Sequence, residues 1–194
     1  MWGVTMPKQK ITKEMVVDAA FSLARTGGME QVLVKNIAKA LGCSVQPIYS
    51  YCSSMEGLRR EVYARVTAFV REFVSAQIDP AEPFSSTGRA YVRLAQQEPE
   101  LFKLFILHPR SGIGSLADLY AAEAEPSMAK SISDSLKITP DQARQLHLHM
   151  LIYTIGIGTI FSVTTPGIPA EEIFAQQEQA YEAFLKQAIK EESR

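Results

Sequence analysis

The chain has 194 residues, 46% of them hydrophobic and 21% charged, a balance that supports a buried core and excludes a disordered tail or a fibrous repeat. Two cysteines, Cys43 and Cys52, are too few for a disulfide scaffold and suit a reducing compartment. The net charge of -1 is unevenly spread: residues 1–76 hold ten Lys/Arg against six Asp/Glu and residues 77–194 hold ten against fifteen, so a basic head suited to a polyanion precedes an acidic body.

The first ten residues have no apolar signal-peptide core, so export is not expected. Val16, Ala19, Ala20 and Leu23 then recur at the i, i+3, i+4, i+7 spacing of an amphipathic helix, with Thr12 placed to cap it and Gly27-Gly28 to end it. Val34, Ile37, Ala38 and Leu41 repeat the template as far as Gly42. A short third helix is expected after Ser44, whose hydroxyl suits a cap. A fourth is expected from the capping-box sequence Ser53-Ser54-Met55-Glu56, with a stripe of Leu58, Val62, Val66, Phe69, Val70 and Phe73. Gln77–Gly88, with Asp79-Pro80, Pro83 and Ser85-Ser86-Thr87, reads as a loop between domains.

Helices are expected over 89–97 and, after Glu98-Pro99, over 100–107. His108 to Gly114 is a break, another helix is expected near 115–124, and 126–138 carries no readable pattern. Thr139-Pro140-Asp141 caps a long helix with proline in its first turn. Ala143, Leu146, Met150, Tyr153, Ile157 and Ile160 form one face of it and Leu148, Leu151, Ile155 and Thr159 a second, which demands cover on two sides. Gly156 and Gly158 each weaken this helix by ~1 kcal/mol relative to alanine; close approach of a symmetry-related helix, or room for a ligand, would offset that. The apolar stretch from Met150 to Val163 is interrupted by Thr154, Gly156, Gly158, Thr159 and Ser162 and falls short of the ~20 residues that span a bilayer. A soluble, cytoplasmic protein with no membrane contact is therefore expected. After a turn at Thr165-Pro166-Gly167, a last helix starts at Pro169-Ala170-Glu171-Glu172 with the stripe Ile173, Gln177, Tyr181, Phe184 and Ala188. No alternating strand pattern competes, and the fold reads as all-α.

Two helices joined by Gly42-Cys43-Ser44 fit a helix-turn-helix over about 33–52. Its first helix has an apolar face, its turn has a glycine for unusual dihedrals, and its short second helix puts polar Ser44, Gln46 and Tyr49 where side chains reach base edges in the major groove. Glutamine can bond adenine through both N6 and N7, a contact worth ~1–3 kcal/mol of discrimination, which marks Gln46 for base readout.

The order and spacing of marks across this region sharpen the reading. They are the Ala-Ala pair at 19–20, the glycine ending the first helix, Ile37-Ala38, Gly42, Tyr49 and Leu58. Over about 50 residues they make the chain resemble the TetR family of transcriptional regulators. The segment Ala90–Ala95 with Pro99-Glu100-Leu101-Phe102 also resembles the ligand domain of one branch of that family. The resemblance implies a helix-turn-helix DNA-binding domain over 1–76 and a helical ligand-binding and dimerisation domain over 77–194. It further implies a homodimer on double-stranded DNA at a near-palindromic operator, released by a small apolar or aromatic effector and acting as a repressor. Lys35, Ser44, Val45, Gln46, Pro47, Tyr49 and Tyr51 are the residues expected at DNA, with Tyr49 and Ser44 on phosphates. There are three departures, Cys52 in place of phenylalanine, Met55 in place of a phosphate-touching lysine, and Val32-Leu33 in place of a phosphate-contacting threonine or serine, and the last two weaken the expected phosphate grip. Lys35, Lys39 or an N-terminal arm with Lys8 and Lys10 would offset them. The alternative is a helical dimeric interaction protein that has lost operator binding.

Phe102, Phe105, Tyr120, His147, Met150 and Tyr153 are the candidates for an apolar effector pocket, against a plain-core role for the aromatic residues. Cys43 and Cys52 flank the second motif helix, but their spacing fits no zinc motif and they read as small buried hydrophobes. His147 and His149 are two apart and diverge on a helix, so no shared metal is expected. Without a Gly-rich phosphate loop, metal-ligand cluster or nucleophile elbow, neither an enzyme nor a cofactor is expected.

Overall fold

The computed structural model describes residues 11–52, 54–164 and 167–190. All regular structure among them is helical: α1 (Lys13–Gly27), a single 3-10 turn (Met29–Gln31), α2 (Val34–Leu41), α3 (Gln46–Tyr51), α4 (Met55–Ser75), α5 (Pro83–Gln97), α6 (Pro99–Ile106), α7 (Leu116–Glu123), α8 (Pro126–Leu136), α9 (Pro140–Val163) and α10 (Ala170–Lys190). The chain divides into two compact units, Met1–Ala68 and Phe69–Arg194. The division falls within α4, whose last turns group with the second unit.

In the first unit α1 packs against α2 and α3. The Thr12 hydroxyl caps α1 by accepting the Met15 N–H at 3.2 Å, and Gly28 at φ 80° ends it. Val16, Ala20, Ala24, Val32, Ile37, Ile48, Leu58, Val62 and Val66 are fully buried. Two surface ion pairs tie α1 to α4, Lys13–Glu61 and Arg65–Asp18, both at 2.8 Å; pairs this exposed are screened by solvent and contribute little.

Local chemistry corrects three expectations about helix starts. Ser44 does not cap α3: the N-cap is Val45, already in the helical region and making no side-chain cap bond, with Pro47 in the first turn. The cap of α4 is Ser54, whose hydroxyl accepts the Gly57 N–H at 3.0 Å, while Ser53 lies outside the described residues. The segment expected to be loop as far as Gly88 is helical from Pro83, a residue that fits an N-terminal turn because its missing N–H is not needed there. Ser86, buried, then donates to Glu82 O at 2.7 Å and accepts from Asp79 N–H at 2.9 Å, fixing the entry into α5.

The second unit is organised around α9, which packs against α5, α6, α8 and α10. Thr139 and Gln142 form a reciprocal capping box at its start. Residues 126–138, unreadable from sequence, supply α8, whose Ile132 joins Ala143, Leu146 and Met150 in a buried cluster. The buried register of α9 continues through Thr154, Gly158 and Phe161; the expected stripe fails after Met150, since Ile160 is 62% exposed. Small side chains explain the switch. A Cβ on Gly158 would stand 2.7 Å from Cζ of Phe102, so this glycine admits the ring of α6 from the same chain rather than a symmetry-related helix. Gly156 has no neighbour within 4 Å. Extended back to Pro140, α9 is 24 residues long and, contrary to expectation, long and apolar enough by length and composition to cross a membrane, with 28% of its most apolar 18-residue window buried within the chain. The turn expected at Thr165-Pro166 lies outside the described residues.

Candidate functional site

Two surfaces carry chemistry, one in each unit. In the first, Gly42 adopts the left-handed conformation (φ 63°, ψ 30°) and closes α2 with its N–H on the Ala38 and Lys39 carbonyls. After three intervening residues α3 begins at Gln46, anchored from beneath by Ile48, which is 1% exposed. With Ile48 turned inward, the helix turns Gln46, Tyr49, Ser50 and Tyr51 outward. Tyr49 is 63% exposed, its ring and hydroxyl open to solvent. Val45 and Ser44 are also exposed and Pro47 is half-buried. Lys35 and Lys39 are exposed on α2. All seven residues expected at DNA thus lie in or beside the turn-and-helix unit, none of them fully buried. Lys8 and Lys10 fall outside the described residues.

The outward face of α3 has no charge of its own. It offers amide, hydroxyl and phenol groups, which can read or touch nucleic acid but do not attract it from a distance. The departures at the motif's edges have structural roles. Val32 and Cys52 fill the core, and burial pushes the Cys52 thiol up, away from the reactive thiolate. Leu33 is the N-cap of α2 and provides no side-chain bond there; Asn36 Nδ2 instead donates to Gln31 O at 3.0 Å.

In the second unit a cleft of about 660 Å³, its open mouth included, lies between α5, α8, α9 and α10. Its walls are largely aromatic and sulfur-bearing: Phe84 and Tyr91 from α5, Met128 from α8, His147 and Met150 from α9, Phe174 and Tyr181 from α10. A second, smaller recess of about 380 Å³, its open mouth likewise included, is bounded by Phe102, Phe105, Ile106, Glu123 and Ile155, and shares Tyr91, Leu151 and Thr154 with the first. The six expected effector residues therefore separate: His147 and Met150 line the larger cleft, Phe102 and Phe105 the smaller cavity, and Tyr153 neither, its ring standing edge-on to Phe184. Tyr120 bounds neither cavity but holds His147, its hydroxyl 2.9 Å from Nδ1.

Burial lowers the His147 pKa to about 4, so its ring is uncharged at neutral pH. His149 turns away and packs on Phe184 at 5.0 Å, so the two histidines do not converge. Sequence reasoning missed Phe84, Tyr91, Phe174 and Gln177. Gln177 sits in the apolar stripe of α10, and a polar residue on a buried face was a readable signal. Its amide donates to Thr154 Oγ1 at 3.2 Å and to Gly88 O at 3.4 Å.

Residues 16–62 match the family model for bacterial regulatory proteins of the tetR family, a segment that runs from α1 into α4 and contains the whole of α2 and α3. No curated protein matches the chain.

Proposed function

We propose that this chain, a DNA-binding transcriptional regulator of the tetR family by the domain it carries over residues 16–62, works as a homodimeric repressor that leaves its operator when a small aromatic molecule enters the cleft of its second unit. The observation that carries the DNA half is the outward presentation of Gln46 and Tyr49 on a short helix held by buried Ile48. Gln46 reads a base edge; Tyr49, Tyr51, Ser44 and Lys35 take phosphates; Val45 and Pro47 set the approach of the backbone. A two-fold axis would hold two such helices about 34–36 Å, one DNA turn, apart or at a multiple of that spacing.

Support for the dimer comes from α9 and α10. Ile152, Ile160, Val163 and Ile189 are 45% to 66% exposed, and Gly156 has open space where a second helix can approach closely. Support for the effector comes from the aromatic cleft and its uncharged histidine. The ligand acts only by favouring the arrangement that binds DNA poorly, with coupling of ~1–3 kcal/mol.

A gel-shift titration on the DNA flanking the gene, repeated at several salt concentrations, tests the reading. Sequence-selective binding that weakens with salt and shows two half-sites in a footprint is expected. Purified protein that pulls down a protein partner yet leaves no footprint in any ligand-free condition would overturn it.

A further inference from the structure

Gln177 is 6% exposed, yet the Oε1 atom of its side chain has no hydrogen-bond partner. The orientation of the amide is settled by its surroundings. The Gly88 carbonyl can only accept, so the NH2 group must face it and Oε1 is the end left over. A buried acceptor left unmade is costly, and the residue that bears it is part of the cleft wall.

Two hydroxyls of the α5 wall share this bias, while those of Tyr91, Thr154 and Tyr181 keep their hydrogens for the cleft. Ser85 Oγ donates to Glu82 Oε2 at 3.2 Å and Thr87 Oγ1 donates to Pro83 O at 2.7 Å, so both hydroxyls have spent their hydrogens and present lone pairs. Arg89 is neutralised by Glu82 at 2.9 Å. That leaves the exposed carboxylate of Glu178 as the net charge of the lining. The cleft is thus apolar in its walls, with unspent acceptors at Ser85, Thr87 and Gln177 and a carboxylate at its mouth.

We propose that this cleft recognises an aromatic ligand by an N–H or O–H donor delivered to Gln177 Oε1, and that it discriminates against ligands bearing a carboxylate. The proposal rests on reading the second unit as effector-binding and adds the chemistry of the effector: a neutral or cationic hydrogen-bond donor.

Isothermal titration of the full-length protein with indole and with benzofuran tests it, because the two differ only in an N–H against an oxygen. Indole is expected to bind roughly tenfold tighter, the factor a satisfied buried acceptor typically contributes. Indole-3-acetate is expected to bind no better than benzofuran. Gln177→Met should erase the preference for indole, while Thr154→Val, which keeps the amide carbonyl, should retain it. The wild-type comparison stands even if Gln177→Met does not fold. Equal affinity of wild-type protein for indole and benzofuran overturns the donor proposal and leaves the effector reading in place. Binding of neither at millimolar concentration overturns both.

Discussion

Replacing Gln46 by alanine removes one outward amide and no core contact, because the helix is anchored by Ile48. Gln46→Ala is expected to lower specific operator affinity by ~1–3 kcal/mol and leave non-specific binding unchanged, which competition gel shifts against random DNA would measure. The two glycines of α9 make a sharper pair. Gly158→Ala drives a Cβ to 2.7 Å from the Phe102 ring and should destabilise the protein by ~1–3 kcal/mol, with part of the loss recovered by adding Phe102→Leu. Gly156→Ala meets nothing within 4 Å and should raise intrinsic helix stability by ~1 kcal/mol; if a second copy packs there, sedimentation will show weaker self-association in the same variant. His147 adds a pH dependence whose sign follows from its depressed pKa of about 4. Between that value and the ordinary ~6.5 the unfolded chain binds the extra proton, so stability falls as pH drops from 6.5 towards 4. His147→Gln should flatten that limb of a urea-midpoint profile. None of these roles could be read from composition alone: Gly158 looks like any costly helical glycine until Phe102 is seen against it.

At the scale of elements, the helices with strong local signals were legible and those positioned by tertiary contacts were not. Thr12, Gly42 and Thr139 announce the boundaries they make, because each acts through its own backbone neighbourhood. Thr139→Ala should therefore cost about 1 kcal/mol in denaturant unfolding, the usual worth of an N-cap hydroxyl. The start of α3 misled for the opposite reason: Ser44 has cap chemistry, but Val45 already has helical dihedrals and takes the N-cap position. In α8 a signal existed, with Met128, Ile132 and Leu136 spaced by four on one face, and the adjacent Pro126 masked it. The long stripe of α9 drifted because Thr154 and Gly158, not larger apolar residues, let neighbouring helices approach. Of the cleft, only His147 and Met150 were legible; its other walls come from α5, α8 and α10 and meet only in the folded unit.

For the molecule as a whole, the division into a DNA-binding unit and a second helical unit separates two kinds of dependence on conditions. Attraction to DNA must come from lysines and arginines outside α3, which carries none. Lys35→Ala is accordingly expected to reduce the slope of log affinity against log salt by about one without altering sequence preference. The charge asymmetry along the chain points to the same end as the family match over residues 16–62, whereas the charge-free outer face of α3 is visible only once Gln46–Tyr51 is seen to be the whole of the helix.

Tyr91, Leu151 and Thr154 form a partition with one chamber on either side. Trimming Leu151 to alanine would join them into one larger chamber while every residue of the first unit stays as it is.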